Sequence, residues 1–520
     1  MPSGSPKIRS KSRRKRSLKS ACSARGSPET ALSPHNPQVR TLRRFKGDIV
    51  SASNQPQLKR SLGLVGLTLF GVTYMTVITV FTTYGIVNQV TDGHLPAAYV
   101  IAVVAMLFTA ASYGAMVRRY PVAGSAYTYT QQSFGGAAGF LTGWVMLLDY
   151  LFIPMINFML IGIYLNTQFP AIPVWVFTLA ALLLVLLFNI LGINLVNKVN
   201  FAIIALSVLL VVIFMVLAFK HALGGNTEIS LIEPFTFGEG GIGAIASGAA
   251  ILALSFLGFD AVSTLSEEAK RPRKDIPRAI VLSTLIGGLF FILVSWAGAV
   301  AYAPDWSSLS DAEIEAAGVT VMNNIGGEAF TAFFVAVYVV GAFGSGMTGQ
   351  VSVSRILYAM GRDGMLPKPL SRLHQRFGTP IVAAVTVSVF ALSSLFLSLD
   401  TVAFMISFGA LAAFAMVNLS VIRTYLFPKG GRREPVTATR VLKYAVAPLI
   451  GFALTIWLWT SLEALTWLVG AIWIVVGIVI IAIVTKGFRK PVPMMDFSEG
   501  DPTTEQIDAL GEEYPLEGTR

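Results

Sequence analysis

Long apolar stretches separated by short polar segments dominate residues 61–484 of the chain. Each is close to or longer than the roughly 20 residues that an α-helix needs to cross the hydrocarbon core of a bilayer. Backbone groups must be satisfied internally in lipid, so each stretch is predicted as a helix rather than a strand. The pattern predicts about twelve transmembrane helices. Their predicted spans are 61–90, 97–117, 133–165, 174–193, 201–219, 241–266, 279–302, 330–360, 380–399, 402–425, 444–461 and 465–484.

Composition and charge support an all-α polytopic membrane protein. Of 520 residues, 54% are hydrophobic and only 13% are charged, which is too apolar for an ordinary soluble protein. The formal net charge of +11 does not indicate nucleic acid binding, because the Lys and Arg residues fall in alternate loops. With the amino terminus inside, only Lys220 of 39 basic residues lies outside. This distribution predicts a protein of the cell inner (plasma) membrane with both termini cytoplasmic.

Two of the apolar stretches contain sequence that is unfavourable for a continuous helix. The first includes "FGVTYMTVITVFTTYG", which is dense in Gly, Thr and β-branched residues, and the sixth has a Gly-rich entry followed by "SFLGFD". A single Gly in a membrane helix more often marks close packing. Interruptions at corresponding places in two halves of a chain are typical of inverted-repeat secondary transporters, whose substrate site lies near the bilayer midplane.

Three longer stretches resemble one known superfamily. They are "YPVAGSAYTYTQQSFG", "SFLGFDAVSTLSEEAKRPRKDIPRAI" and "SVSRILYAMGRDGMLPKPLSRLH". They resemble parts of the amino acid/polyamine/organocation (APC) superfamily. In order, these parts are the segment after helix two, helix six with its following loop, and helix eight with its following loop. Within it, "TDGHLPAAYVIA", "LFTAASYG" and "LLDYLFIPMIN" resemble bacterial putrescine importers. Thr82 and Val77 depart from that importer pattern, which leaves the exact amine open.

The resemblance implies a LeuT-like fold of 5+5 inverted repeats, with helices one and six broken and two further C-terminal helices. The expected organisation is a disordered basic cytoplasmic tail, helices one to five, helices six to ten, helices eleven and twelve, and a second cytoplasmic tail. These parts cover residues 1–60, 61–222, 241–426, 441–486 and 487–520, respectively. The single cysteine, Cys22, lies in the first tail, so neither a disulfide nor a thiolate metal site is expected.

Two aspartates lie within predicted membrane helices. Asp149 is midway through helix three, and Asp260 follows the proposed break in helix six. An ionisable side chain in a membrane helix is costly and is by default a candidate for function. A carboxylate beside a broken helix can also cap exposed amides, and for Asp260 this alternative is equally well supported.

The break in helix one indicates the charge of the substrate. Superfamily members that bind α-amino acids resemble one another in a Gly-Ser-Gly type of break, whereas this chain has "GVTYMTV" with one Gly. A weakened anion site together with a carboxylate in helix three favours a cationic substrate, such as a diamine held by carboxylates and aromatic faces. The candidate substrate-binding residues are Asp149, Tyr150, Tyr74, Met75, Thr76, Phe256, Gly258, Phe259 and Asp260. By resemblance, Asp149 and Tyr150 face the central site and Phe256 acts as a gate.

Energy coupling to a proton or to sodium is left open by the sequence, and no other cofactor is expected. Asp149 or Asp260 is the candidate proton carrier, and Ser345, Thr348 and Ser352 are the candidate sodium ligands. Ser207 stands at the helix-five position where some proton-coupled relatives have a lysine.

No catalytic triad, phosphate loop or zinc-ligand spacing is found, so an enzyme is not expected. The expected partners are a small cationic molecule and the lipid bilayer, and the oligomeric state is left open. Three alternatives remain: an amino acid permease, an amino acid/amine exchanger, and a sensor that signals through the basic tail.

Overall fold

The computed structural model describes residues 62–75, 77–121, 125–191, 195–224, 230–362, 364–374, 379–428, 437–487 and 489–490. Thr76, the amino-terminal tail and residues 491–520 lie outside this set. Within it the chain is helical, and the only extended pairing is an isolated bridge between Leu62 and Ala269. Eleven of the described helical segments are long and apolar enough to cross a membrane. The prediction of an all-α polytopic membrane protein is therefore confirmed.

The α-helices are numbered here in chain order. They are α1 (Leu64–Tyr74), α2 (Tyr84–Thr91), α3 (Leu95–Arg119), α4 (Ser125–Phe134), α5 (Gly136–Gln168), α6 (Val174–Leu191), α7 (Leu195–Leu223), α8 (Gly241–Ile251), α9 (Pro272–Ala301), α10 (Asp311–Glu315), α11 (Ala317–Arg362), α12 (Ile381–Ala391), α13 (Leu399–Leu426), α14 (Ala438–Val441), α15 (Ala447–Thr460) and α16 (Ala464–Val484). Predicted helices three, eight and ten correspond to α5, α11 and α13.

The first and sixth predicted helices are divided in the structure. After α1 ends at Tyr74, a 3-10 helix spans Val77–Phe81 before α2 begins. After α8, a 3-10 helix at Leu252–Phe256 is separated from another at Ala261–Glu267. The β-branched residues and Gly258 account for these changes, because they weaken the α-helix relative to tighter or irregular backbone.

Three predicted boundaries need correction. The ninth predicted span, 380–399, is a shorter apolar helix at Ile381–Leu395, which leaves eleven rather than about twelve full-length candidates among the described residues. Ser393, in the 3-10 helix that ends this span, donates a side-chain hydrogen bond to the carbonyl of Phe390 in α12, 2.8 Å away. The third span begins at Gly136 because Gly135, with φ of 105°, separates α4 from α5. The eighth extends back to Ala317, with a non-helical Gly327 inside α11.

The last helix, α16, is attached to the central α5 by a pair of tryptophans. The rings of Trp144 and Trp473 stack with centroids 4.6 Å apart. Each indole N–H donates to the backbone carbonyl of the other residue at 2.8 Å. This reciprocal pairing satisfies both polar groups and leaves the rest of α16 largely exposed.

Candidate functional site

The interruptions after α1 and α8 lie against each other. Gly258, between the two 3-10 helices, has a φ of 124°, which is unfavourable for a residue with a side chain. A Cβ at this glycine would lie 2.6 Å from Cδ1 of Tyr74 and 3.0 Å from the backbone nitrogen of Met75. A glycine is therefore required for the two irregular segments to come into direct contact.

Asp149 lies in the middle of α5 and is only 4% exposed. Its Oδ1 atom has no hydrogen-bond partner among the described residues. The only ion pair in the described part of the chain joins Arg271 to Asp275, so no Lys or Arg there neutralises Asp149. Buried polar groups are normally paired, and an unpaired one calls for an explanation such as a ligand.

Helix α13 approaches α5 directly at this aspartate. A Cβ built on Gly409 would lie 2.9 Å from the Cβ of Asp149, from its backbone nitrogen and from the Val145 carbonyl oxygen. These neighbours include two backbone atoms that cannot rotate away. Gly409 therefore allows α13 to pack closely enough to hold the Asp149 side chain in place.

Asp260 is buried as well, but both its oxygens accept hydrogen bonds. Oδ1 accepts from the backbone N–H of Gly258 and Oδ2 from the hydroxyl of Ser125, each at 3.2 Å. Ser125 begins α4 and has a φ of 50°, an uncommon conformation for a serine. Asp260 thus caps the irregular segment at Gly258 and connects it to α4.

The two carboxylates and two tyrosines form one cluster. Asp149 and Asp260 lie within electrostatic range of each other, and both lie within range of Tyr74 and Tyr150. Tyr74 is 50% exposed and Tyr150 is partly buried. The cluster therefore combines two negative groups with two aromatic side chains that keep accessible surface.

The other candidate residues of the α1 and helix-six segments lie in the core. Phe256 is fully buried, and its ring centroid lies 5.5 Å from that of Phe291 in a perpendicular arrangement. Phe259 is also buried and packs 5.2 Å from Phe414. Met75 is 2% exposed. The gating role assigned to Phe256 stays a prediction.

The candidate coupling hydroxyls lie on two other helices. Ser207 is buried in α7, whereas Ser345 and Thr348 in α11 are exposed. Ser345 Oγ accepts a hydrogen bond from Asn157 of α5 at 3.3 Å. Thr348 and Ser352 donate to carbonyls one turn earlier, at 3.0 and 2.9 Å. A hydroxyl that donates keeps its oxygen lone pairs, so these groups retain capacity to bind a cation.

Comparison with known proteins identifies the family. The family model described as amino acid permease matches residues 67–496. The chain belongs to the amino acid permease family. This permease is 38% identical over 453 residues to the low-affinity putrescine importer PlaP of Escherichia coli (strain K12). The aligned residues cover 86% of this chain and 99% of the relative.

Two further relatives bear other names. The branched-chain amino acid permease BcaP of Bacillus subtilis is 29% identical, covering 85% of this chain and 96% of the relative. Cationic amino acid transporter 4 of Mus musculus is 31% identical, covering 77% of this chain and 64% of the relative. The permease is accordingly a multi-pass membrane transporter of amino acids or amines and not an enzyme.

Proposed function

We propose that this permease imports a small organic cation, most simply putrescine or a related amine, by alternating access. The observation that carries the proposal is Asp149, a buried carboxylate with one oxygen unpaired among the described residues. An ionised group in such a place is costly unless it is compensated. An ammonium group supplies both the positive charge and three hydrogen-bond donors.

The other three residues of the cluster, Tyr74, Tyr150 and Asp260, could contact the carbon chain and the second ammonium group of a diamine. Tyr74 and Tyr150 lie within electrostatic range of the two carboxylates, and an aromatic ring can attract a cation through its face. Asp260 already accepts two hydrogen bonds, yet its negative charge remains available to the second ammonium at longer range. We assign Asp149 as the direct hydrogen-bond acceptor for the ammonium group. Asp260 stabilises the segment at Gly258 and adds negative potential at the site.

The proposed transport cycle rests on a 5+5 inverted repeat in which helices one and six are broken. The contact between Gly258 and the end of α1 supports this arrangement, since such transporters bind substrate where two interrupted helices meet. The distribution of basic residues supports an inner-membrane location with both termini cytoplasmic. The driving force we propose is a proton gradient carried by Asp149 or Asp260, with sodium at the α11 hydroxyls as the alternative.

The substrates named for the relatives support two classes of substrate for this permease, an amine and an amino acid. The putrescine importer PlaP supports a diamine, and BcaP with cationic amino acid transporter 4 supports an amino acid permease or exchanger. The absence of a basic side chain paired with Asp149 among the described residues favours the amine.

Uptake of labelled putrescine into proteoliposomes containing the purified permease tests the proposal. Unlabelled putrescine and spermidine are expected to compete, ornithine to compete less because it brings a carboxylate, and leucine not to compete. Protein-free liposomes give the background. If leucine competes and the diamines do not, the substrate is an amino acid and the proposal is wrong.

The same vesicles test coupling. An inward proton gradient is expected to drive putrescine accumulation above equilibrium, while a sodium gradient at equal pH is expected to leave it at equilibrium. Accumulation driven by sodium alone would instead assign coupling to the α11 hydroxyls. Exchange that requires internal amine under both gradients would contradict import by symport.

A further inference from the structure

A short segment, residues 81–84, joins the 3-10 helix that follows α1 to α2, and only Thr82 and Thr83 in it lie outside helix. It lies between the candidate site and the far end of the bundle. The bridge from Leu62 to Ala269 places the start of α1 beside the basic loop at Lys270 and Arg271. From there the chain runs through α1, past Tyr74, and along the 3-10 helix that ends at Phe81. At about 1.5–2 Å per residue, residues 81–84 are well separated from the basic loop along this path.

Two tyrosine hydroxyls from neighbouring helices bond to this segment. Thr82 Oγ1 and the Tyr338 hydroxyl of α11 share a buried hydrogen bond of 2.6 Å. The Tyr164 hydroxyl of α5 donates to the Phe81 carbonyl at 2.7 Å, also in the buried interior. The two tyrosine rings pack against each other, with centroids 4.7 Å apart. Two long helices are thus joined through this segment rather than through regular helix.

Aromatic packing seals the space around these bonds. The Phe81 ring lies 5.1 Å from Phe214 of α7 and 5.5 Å from Phe334 of α11, both edge-on. Phe81, Phe214, Phe334, Tyr164 and Tyr338 are all nearly or completely inaccessible. Tyr74, by contrast, is 50% exposed. The site is therefore closed on the side of residues 81–84.

The same segment contains two polar groups that this arrangement leaves unpaired. Thr83 Oγ1 and the Tyr84 hydroxyl are buried and make no hydrogen bond of ordinary geometry to the described residues. The side chains of Tyr99 and Asn88 lie near them. Native structures rarely leave such groups unsatisfied, and a cluster of them at one segment indicates that another arrangement satisfies them. Entry of water between α2, α5 and α11 would do so.

Building on the proposed alternating-access cycle, we propose that Thr82, Tyr164, Tyr338 and the Phe81 carbonyl form a latch, which closes the substrate site on the side opposite the basic loops. The latch is closed in this structure, and it opens when both hydroxyl bonds are exchanged for water. Net hydrogen-bond energies are modest, so this exchange is reversible during a transport cycle. Because residues 82 and 83 are outside regular helix, the segment moves without breaking an α-helix.

Thiol labelling of intact cells tests the latch independently of the substrate. The only native cysteine is Cys22, so Cys22→Ser with Tyr74→Cys provides a single reporter at the site. A membrane-impermeant thiol reagent added outside is expected to react slowly when the latch is closed. Tyr338→Phe, Tyr164→Phe or Thr82→Val should each raise the labelling rate about fivefold, the change expected for loss of one ordinary hydrogen bond.

The matched control is Tyr425→Phe, which removes a hydroxyl that donates to the Ala115 carbonyl at 2.9 Å elsewhere in the protein. It should leave the labelling rate unchanged. Combining Thr82→Val with Tyr338→Phe should give no more than either alone, because the two residues share one bond. Unchanged labelling in the latch variants, or an equal increase in Tyr425→Phe, would overturn the proposal. Phenylalanine keeps the ring packing, and membrane abundance is measured for every variant.

Discussion

The two aspartates within predicted membrane helices have different environments in the folded permease. Asp260 accepts hydrogen bonds from the Gly258 N–H and the Ser125 hydroxyl, whereas Asp149 Oδ1 is unpaired among the described residues. A carboxylate already holding two donors is better suited to stabilise local structure than to exchange them for a ligand. We therefore place the direct substrate contact on Asp149.

Asp149→Asn is expected to reduce amine uptake close to background at concentrations near the KM of the unmodified permease, while the protein reaches the membrane at normal abundance. The amide keeps the size of the side chain but cannot neutralise an ammonium, a loss of about 2 kcal/mol or more that corresponds to roughly 30-fold in KM. Uptake kinetics together with immunoblots of membranes provide the measurement.

Asp305→Asn is the matched control, because Asp305 is an exposed loop residue whose carboxylate accepts local hydrogen bonds from the backbone and side chain of Ser307. Its uptake should equal that of the unmodified permease. Near-normal uptake by Asp149→Asn would return Asp149 to a structural role.

Two glutamates near the short helix α10 give stability effects of opposite sign. Partial burial raises the pKa of Glu315, and the charges of Asp400 and Asp311 add to the effect. Hydrogen bonds from the Ser310 side chain and backbone lower the pKa of Glu313. Ionised Glu315 therefore weakens the folded state at neutral pH, while ionised Glu313 strengthens it.

Glu315→Gln is expected to raise the thermal unfolding midpoint at pH 8, by a small amount because the group is partly solvated, and to have no effect near pH 4. Because the pKa of Glu315 is raised in the folded state, the folded protein binds this proton more tightly than the unfolded chain does. The resulting contribution to stability is present below the ordinary pKa of Glu and is lost as the pH rises through the pKa of Glu315 in the folded protein. Glu313→Gln should instead lower the midpoint at pH 8. Unfolding of detergent-purified variants at both pH values is the measurement, and shifts of the same sign would contradict the assignment.

At the scale of elements, the close packing of α5 against α13 determines where Asp149 lies. The contact depends on Gly409, since any Cβ there would meet backbone atoms of α5 at 2.9 Å. The helices can relieve this overlap only by moving apart. The position of the carboxylate is thus controlled by a residue on another helix.

Gly409→Ala is expected to raise the KM for putrescine several-fold, because overpacking costs about 1–3 kcal/mol and displaces Asp149. Gly344→Ala in α11 is the control, since its nearest neighbour would be Ile203 Cδ1 at an ordinary 3.7 Å. Uptake kinetics normalised to membrane abundance distinguish the two. Equal KM values for Gly409→Ala and the unmodified permease would show that the contact does not position the aspartate.

The changes from α-helix to 3-10 helix along the first and sixth predicted helices are also element-scale features, and they fall in the stretches where the sequence predicts breaks. That these stretches act as the broken helices of an inverted-repeat transporter stays a prediction. The first change was expected within "FGVTYMTVITVFTTYG", and α1 ends inside that stretch at Tyr74. The second was expected around Ser255 and Gly258, and the 3-10 helix ends at Phe256. Local composition favours such changes of helix type, because β-branched residues and glycine weaken an α-helix. The short ninth helix was not predictable, because its apolar residues continue past the end of the regular helix at Leu395.

At the scale of the whole molecule, the site is closed towards residues 81–84, while Tyr74 keeps half of its surface exposed. An alternating-access transporter needs two gates that do not open together. The hydroxyl bonds of Tyr338 and Tyr164 provide a reversible way to close one of them. The latch and the substrate site are separate groups of residues, so each can be tested while the other is intact.

The sequence alone determined the membrane class, most of the helices and the candidate carboxylates, because hydrophobicity and an isolated charge are local properties. It did not indicate Ser125 as the partner of Asp260, Gly409 as the neighbour of Asp149, or Tyr338 as the partner of Thr82. These pairs are 135, 260 and 256 positions apart, respectively. Only the packing of the helices brought them together, since contacts between distant residues depend on how whole helices are placed against one another.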